Sequence, residues 1–293
     1  MSSTDATSRP ASLAIAADPE TRPAADDSVT YRVQKTPFGP IAHVQLNRPD
    51  KHNGLTLPLL AGLTRAARQA AKDRTLRAVI ISGAGKSFSA GLDFASLQGK
   101  EKSIYRNFIP NLVKGSNGFQ DPAWEWRRVP VPVIAVVHGH CYGGGLQIAM
   151  GADFRFATPD ADFSVLEAKW GLIPDMSASA ALAQLTTIDI AKRLTMTGEM
   201  FSADHAKEIG LVTGVAEDPM AEAMALIEKI ASRSPDSVAS TKTLLEKTWS
   251  RSPRFSFPVE QVLQLRLLRG KNHAIARKAG MKRTTPEFVD REL

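Results

Sequence analysis

The sequence has one cysteine, Cys141, among 293 residues. An intrachain disulfide is therefore excluded, and a reducing compartment is expected. No apolar run reaches membrane-spanning length, and no short-period repeat is visible. Residues 1–27, rich in Ala, Ser, Thr, Asp and Pro, have neither a basic start followed by an apolar stretch nor an Arg-rich amphipathic pattern. They read as a disordered tail, and a cytoplasmic location is expected. A phosphate loop is missing as well. Ala84-Gly85-Lys86-Ser87 resembles the end of one, but the required glycine five positions before Gly85 is replaced by Ile80. Acidic residues are fewer than basic ones, giving a net charge of +7. Nucleic acid, a ligand carrying several phosphates, or simply surplus surface lysine would each fit that balance. Arg266, Arg269, Lys271, Arg277, Lys278, Lys282 and Arg283 crowd the C-terminal end at roughly helical spacing, as a solvated face would. The chain lacks interleaved aromatic and basic residues, which argues against a nucleic-acid platform.

Two glycine-containing turns stand out. Gly143-Gly144-Gly145 follows the strand-like run Val133-Ile134-Ala135-Val136-Val137 and precedes a helical stretch, Leu146 to Met150. Upstream lies Phe88-Ser89-Ala90-Gly91-Leu92-Asp93. A strand that breaks into glycines and enters a helix leaves helix-start N–H groups unpaired. Two such turns aimed at one oxygen would form an oxyanion hole, implying chemistry on a carbonyl. A pair of tight turns accounts for the glycines equally well. His138-Gly139-His140-Cys141 has the look of metal ligands, but it offers no fourth ligand and runs into a turn, so no metal is expected.

The apolar content of 43% suits one sizeable core with a smaller appended unit. Val29 to Lys35 and Ile41 to Leu46 read as a β-hairpin joined through Pro37-Phe38-Gly39-Pro40. Leu57 to Lys72 has helical periodicity. Ala78 to Ser82, a run beginning at Val131, Asp153 to Ala157, and Phe163 to Val165 read as strands. From Ser96 to Asp121 the chain is a variable polar stretch. Helices are expected over Ser177–Leu185, Ile188–Thr197, Ala203–Ile209, Met220–Arg233, Pro235–Trp249 and Val259–Met281. The alternation predicts an α/β core whose turns after strands carry function.

These segments, in order, resemble the crotonase (enoyl-CoA hydratase/isomerase) superfamily from about Val29 to Val215. The resemblance rests on Asn47-Arg48-Pro49-Asp50-Lys51-His52-Asn53-Gly54-Leu55, both glycine turns, Ala152-Asp153-Phe154-Arg155-Phe156-Ala157, Gly171-Leu172-Ile173-Pro174, Thr197-Gly198-Glu199 and Gly210-Leu211-Val212. It implies a core of repeated ββα units over residues 28–225 and a C-terminal helical region over 226–293 that assembles trimers or dimers of trimers. It also implies an acyl-CoA substrate, with coenzyme A part of the substrate and no separate cofactor. By the same resemblance, the N–H groups of Leu92 and Gly144 form the oxyanion hole. Ala90 C=O and Phe94 N–H hold adenine, with Asp93 between them in the same turn. Lys51, or a basic residue from a neighbouring subunit, meets the CoA phosphates. Ala95 stands where many relatives carry Lys or Arg, so no phosphate anchor is assigned.

Hydratases of the family use two glutamates, and their positions here hold Gln147 and Glu167. A Gln cannot exchange a proton as a carboxylate does, so the water-activating pair is incomplete. Asp175, eight residues beyond Glu167, matches the spacing of a second carboxylate in the family's dienoyl-CoA isomerases, whereas helix capping is its plain alternative. Double-bond isomerisation is expected marginally ahead of hydration, with thioester or C–C hydrolysis as a third reaction and a non-catalytic or RNA-binding relative as a distant rival. Tyr142, Trp170 and Met176 are expected in or beneath the acyl pocket, with core packing the plainer reading. Trp124, Trp126 and Lys100 to Asp121 fall where relatives shape acyl selectivity.

Overall fold

The computed structural model describes residues 27–292. Apart from Asp27, the expected N-terminal tail lies outside the described residues. Strands β1 (Val29–Gln34) and β2 (Ile41–Leu46) form the expected antiparallel hairpin, with Val29 opposite Leu46. Its turn closes through the Gly39 N–H donating to the Thr36 carbonyl at 3.0 Å. Helix α1 (Leu57–Lys72) begins where Thr56 Oγ1 accepts from the Leu59 N–H, with a proline in its first turn. Leu59, Leu60, Leu63, Ala66, Ala67 and Ala70 make its buried face, the three-and-four spacing of an amphipathic helix.

Next come β3 (Ala78–Gly83), α2 (Phe94–Leu97), α3 (Glu101–Phe108), α4 (Asp121–Arg128), β4 (Val133–Val137), β5 (His140–Tyr142), α5 (Gly144–Met150), β6 (Phe154–Ala157) and β7 (Asp162–Ser164). A 3-10 turn over Leu166–Trp170 leads to α6 (Ala178–Leu185), α7 (Ile188–Thr197), β8 (Phe201–Ser202), α8 (Ala203–Glu208), β9 (Gly214–Val215) and α9 (Pro219–Ala231). The chain then forms α10 (Pro235–Thr248), α11 (Pro253–Leu268) and α12 (Lys271–Lys282).

The larger sheet runs β1-β2-β3-β4-β6-β9 and is parallel beyond the hairpin. Both its faces are covered, which explains why its strands are continuous apolar runs rather than alternating ones. Val79, Ile81, Val133, Ala135 and Val137 join the α1 side of the core. Ala78, Ile80, Ile134 and Val136 pack on Ala223 and Ile227 of α9. Adjacent residues thus serve opposite layers, as the strand period of two requires.

A small second sheet, β5-β7-β8, begins where β4 ends. The expected direct passage from β4 into the glycine triplet is therefore corrected: β5 intervenes. Gly139 (φ +53°) turns the chain between the sheets, and a Cβ there would lie 2.2 Å from the Lys86 carbonyl oxygen. The expected helix over Val259–Met281 is also corrected. It is two helices, because Gly270 is extended (φ −79°, ψ 149°) and starts α12. α11 begins earlier than expected and contains Pro258, whose ring cannot donate to the Arg254 carbonyl. The variable polar stretch before Asp121 includes all of α3.

No residue of α11 is buried, and its large apolar side chains Phe255, Phe257, Val262, Leu265 and Leu268 are each at least half exposed. The C-terminal arm is nevertheless fastened to the core. Arg291 is buried and donates to the carbonyls of Pro130 (3.2 Å) and Asp73 (3.1 Å), while its N–H reaches the Arg74 carbonyl. Among the described residues, no helix is long and apolar enough to cross a membrane.

Candidate active site

The two glycine turns meet at the junction of the sheets. Ser89 and Cys141 form a parallel bridge, in which the Ser89 N–H donates to the His140 carbonyl and the Tyr142 N–H to the Ser89 carbonyl, both at 2.9 Å. The packing leaves little room for side chains. A Cβ on Gly145 would lie 2.6 Å from Ser89 Cβ, and one on Gly91 would lie 3.0 Å from the Tyr142 carbonyl oxygen.

Asn53 fixes the first turn from behind. It is fully buried, and its amide donates to the carbonyls of Ala84 (2.9 Å) and Ser87 (2.8 Å). Its Oδ1 accepts from the Arg48 N–H, and its carbonyl accepts from the Ser89 hydroxyl. The motif containing Asn53 was visible in the sequence, but its work as a brace across more than 30 residues of chain was not.

Leu55 bridges Leu92 in parallel, using the Gly91 carbonyl (2.8 Å) and the Asp93 N–H (3.0 Å). A parallel bridge of that kind turns the N–H of the middle residue, Leu92, to the opposite side. The Gly144 N–H opens α5 after Gly143, whose φ of 49° and ψ of −121° redirect the backbone. Among the described residues, neither the Leu92 nor the Gly144 N–H has an acceptor. Two unpaired N–H groups on adjoining turns are the elements of an oxyanion site.

Beside them lies Glu167, on the 3-10 turn after β7. A Cβ on Gly143 would come within 3.1 Å of Glu167 Oε1, so this carboxylate stands directly over the second glycine turn. Gln147 Nε2 donates to Glu167 Oε1 at 2.6 Å, and Gln147 Oε1 accepts from the Met176 N–H at 2.8 Å. Glu167 Oε2 is buried and has no hydrogen-bond partner in the protein. Burial raises the Glu167 pKa above the ordinary glutamate value, and the charge of Asp175 adds to the rise. Its own backbone and Gln147 pull the other way. Burial likewise raises the Asp175 pKa. Helix capping does not account for Asp175: the cap position of α6 is Ser177 (φ +72°), and it makes no side-chain cap bond.

The other expected site residues are more dispersed in role. Asp93 caps α2 by accepting from the Ser96 N–H and pairs with Arg48 at 3.0 Å. Sequence reasoning passed over Arg48, which also donates to the Gly54 carbonyl. The Ala90 carbonyl has no donor among the described residues, whereas the Phe94 N–H is already bonded to the Leu92 carbonyl at 3.1 Å. Lys51 is exposed at the end of a short 3-10 turn, with no ion pair among the described residues. Tyr142 is taken up by Asp162 and His140, while His138 meets the Gly85 carbonyl. Met176 is buried beneath Gly144, where an added Cβ would lie 2.8 Å from its sulfur. Core packing fails for Trp170, which is 58% exposed and lies against the Phe94 ring at 4.5 Å. Trp126 is wholly buried core. Among the described residues, no group of three or more His, Cys, Asp or Glu is placed to hold a metal ion.

Cavities of about 500, 520 and 550 Å³ lie elsewhere, the first lined by Phe154, Leu185, Ile230, Lys242 and Leu245 among others, and none of the three touches either glycine turn or Glu167. Size therefore does not mark the chemical site. Two N–H groups without an acceptor among the described residues, and a carboxylate whose pKa burial raises, mark the candidate site instead.

The core is α/β, with two sheets meeting at the glycine turns and two N–H groups without an acceptor among the described residues beside the Glu167 carboxylate. The family model for enoyl-CoA hydratase/isomerase matches residues 38–286, and the chain belongs to that family. A mouse protein named mitochondrial Delta(3,5)-Delta(2,4)-dienoyl-CoA isomerase is 32% identical over 206 residues, covering 67% of this chain and 62% of the mouse protein. The match thus spans less than two thirds of that relative's length. A short-chain-enoyl-CoA hydratase from Clostridium acetobutylicum is 34% identical over 200 residues, 67% of this chain and 74% of that protein. The crystal structure of an enoyl-CoA hydratase from Bacillus anthracis superposes with a TM-score of 0.79 at 27% identity, covering 89% of this chain and 98% of its own.

Proposed function

We propose that this enzyme shifts double bonds within an unsaturated acyl-CoA thioester, in the manner of a dienoyl-CoA isomerase. The observation that carries the reading is a pair of carboxylates, Glu167 and Asp175, both with raised pKa, beside two unpaired N–H donors. One carboxylate, ionised, removes a proton from the acyl chain. The electron pair moves through the conjugated system onto the thioester oxygen, which the Leu92 and Gly144 N–H groups stabilise. The pair then returns, and the other carboxylate, protonated, delivers its proton to a different carbon. Nothing is added or lost overall. Raised pKa values in both groups suit a site that must hold one charged and one neutral carboxyl near neutral pH. No resident cofactor enters the scheme, and coenzyme A arrives with the substrate.

Hydration of a 2-enoyl-CoA is the second reading, favoured by Glu167 standing where hydratases carry one of their two glutamates. The wider assignment extends to Lys51 near the CoA phosphates, a cytoplasmic setting for the buried free thiol of Cys141, and trimers or dimers of trimers built on the uncovered face of α11.

The discriminating experiment offers 3,5-dienoyl-CoA and 2-enoyl-CoA in deuterated water, with products followed by mass spectrometry. A shifted double bond with deuterium uptake is expected, and Asp175→Asn should lower that rate by roughly 10²-fold or more. A 3-hydroxyacyl product formed equally well by Asp175→Asn would establish hydration instead.

A further inference from the structure

Gln147 has its amide fixed at both ends. It is 1% exposed, on a helix turn whose glycines admit no repacking. Rotating the amide by half a turn would set its NH2 against the Met176 N–H and its carbonyl against the Glu167 carboxylate, exchanging two hydrogen bonds for two repulsions. Nε2 therefore donates to Glu167 Oε1 in either protonation state of that carboxyl. A proton on Glu167 has to sit on Oε2, the oxygen that is buried and without a partner in the protein.

We propose that Gln147 is a positioning residue which occupies Oε1 of Glu167, reserves Oε2 for proton exchange with substrate, and ties that carboxylate to the backbone next to Asp175. The same amide steers the reaction. A water poised on Glu167 finds an amide where a second carboxylate would have held it, so a carbon-to-carbon proton shuttle is favoured over hydration. The steering rests on the proposed isomerase reading, whereas the occupation of Oε1 does not.

The charged surroundings are simple enough to test. Among the described residues, the Asp175 charge acts on Glu167, Lys169 on the same turn and Asp189, Lys192 and Arg193 of the packed helix α7 are exposed, and α5 carries no ionisable group. Carbon-13 NMR of labelled glutamate carboxyls, with Glu167 assigned through Glu167→Gln, would give its titration midpoint in the free protein. Gln147→Met removes the donor that favours the anion, so the midpoint should rise. Gln147→Glu keeps an acceptor for Met176 but sets a carboxyl against Oε1, and the midpoint should rise further.

In turnover, Gln147→Met should lose about tenfold in kcat at neutral pH with KM nearly unchanged, the effect of one hydrogen bond to a charged group. The acid limb of its pH profile should move up in parallel. Gln147→Glu should raise the ratio of hydrated to isomerised product. A Glu167 midpoint that stays in place in both folded variants would overturn the proposal. A midpoint that moves, in a protein that turns over no thioester, would uphold the occupation of Oε1 and discard the isomerase reading together with the steering.

Discussion

Replacing Glu167 by Gln should lower kcat by roughly 10²–10⁴-fold, the usual worth of a positioned general acid–base group, while raising thermal stability. The two effects come from one cause. Burial holds the Glu167 pKa above its ordinary value, so between the unfolded and folded values the native state binds more protons than the unfolded chain. Stability contributed by the neutral carboxyl is full below the unfolded value and is lost as pH rises through the folded one. At neutral pH the ionised group is therefore a net burden on the fold, and Gln removes the charge at nearly constant volume. Steady-state kinetics with a dienoyl-CoA, beside melting curves at pH 7 and pH 4, would test both halves. The stability gain should shrink at the lower pH. A variant with unimpaired kcat would remove Glu167 from the chemistry.

Lys242→Met should destabilise the protein by about 3–5 kcal/mol, the cost of breaking a buried ion pair by removing one partner. Lys242 Nζ donates to Asp153 Oδ2 at 2.7 Å and to the carbonyls of Trp126 (3.0 Å) and Val131 (3.1 Å). The side chains of the pair are only 9% and 18% exposed. Desolvation lowers the Lys242 pKa despite the neighbouring Asp153, so the pair itself adds little beyond what an apolar contact would. Its removal is costly because Asp153 keeps only the Val133 N–H (2.8 Å) and the Val131 carbonyl loses its ammonium donor, while the Trp126 carbonyl keeps the Val129 N–H (3.2 Å). Urea unfolding monitored by circular dichroism gives the measurement. The double variant Lys242→Met/Asp153→Asn should recover part of the loss, since no buried charge is then left unpaired. An unchanged midpoint in the single variant would show that water replaces the ammonium.

Much of the frame was legible because local chemistry and tertiary packing agree. Helix α1 runs over the residues its apolar spacing marked, with Thr56 and Pro58 setting its start. The parallel strands announced themselves as short apolar runs, and the hairpin by its Pro-Phe-Gly-Pro turn. The second sheet was harder to read, since β5, β7 and β8 have three, three and two residues, too few to display a period. At the site, resemblance to known relatives singled out Leu92, Gly144, Glu167 and Asp175. Local pattern was silent about Arg48, Asn53 and Lys242, whose partners lie 45, 31 and 89 positions away. The role of Gln147 escaped for another reason. As a residue type it reads as a missing acid, and only the Met176 N–H beyond it reveals the amide as a two-ended spacer.

The anchorage of Arg291 makes α10 to α12 a chain segment pinned at both ends, by Lys242 near its start and by the Arg291 guanidinium at its finish. A closed loop has already given up the configurational freedom of its ends, so re-docking after a local opening costs little further entropy. Opening it fully requires both pins to release together. Hydrogen exchange should then find the amides of α10 through α12 opening as one unit, even though the exposed face of α11 gives that helix few core contacts of its own.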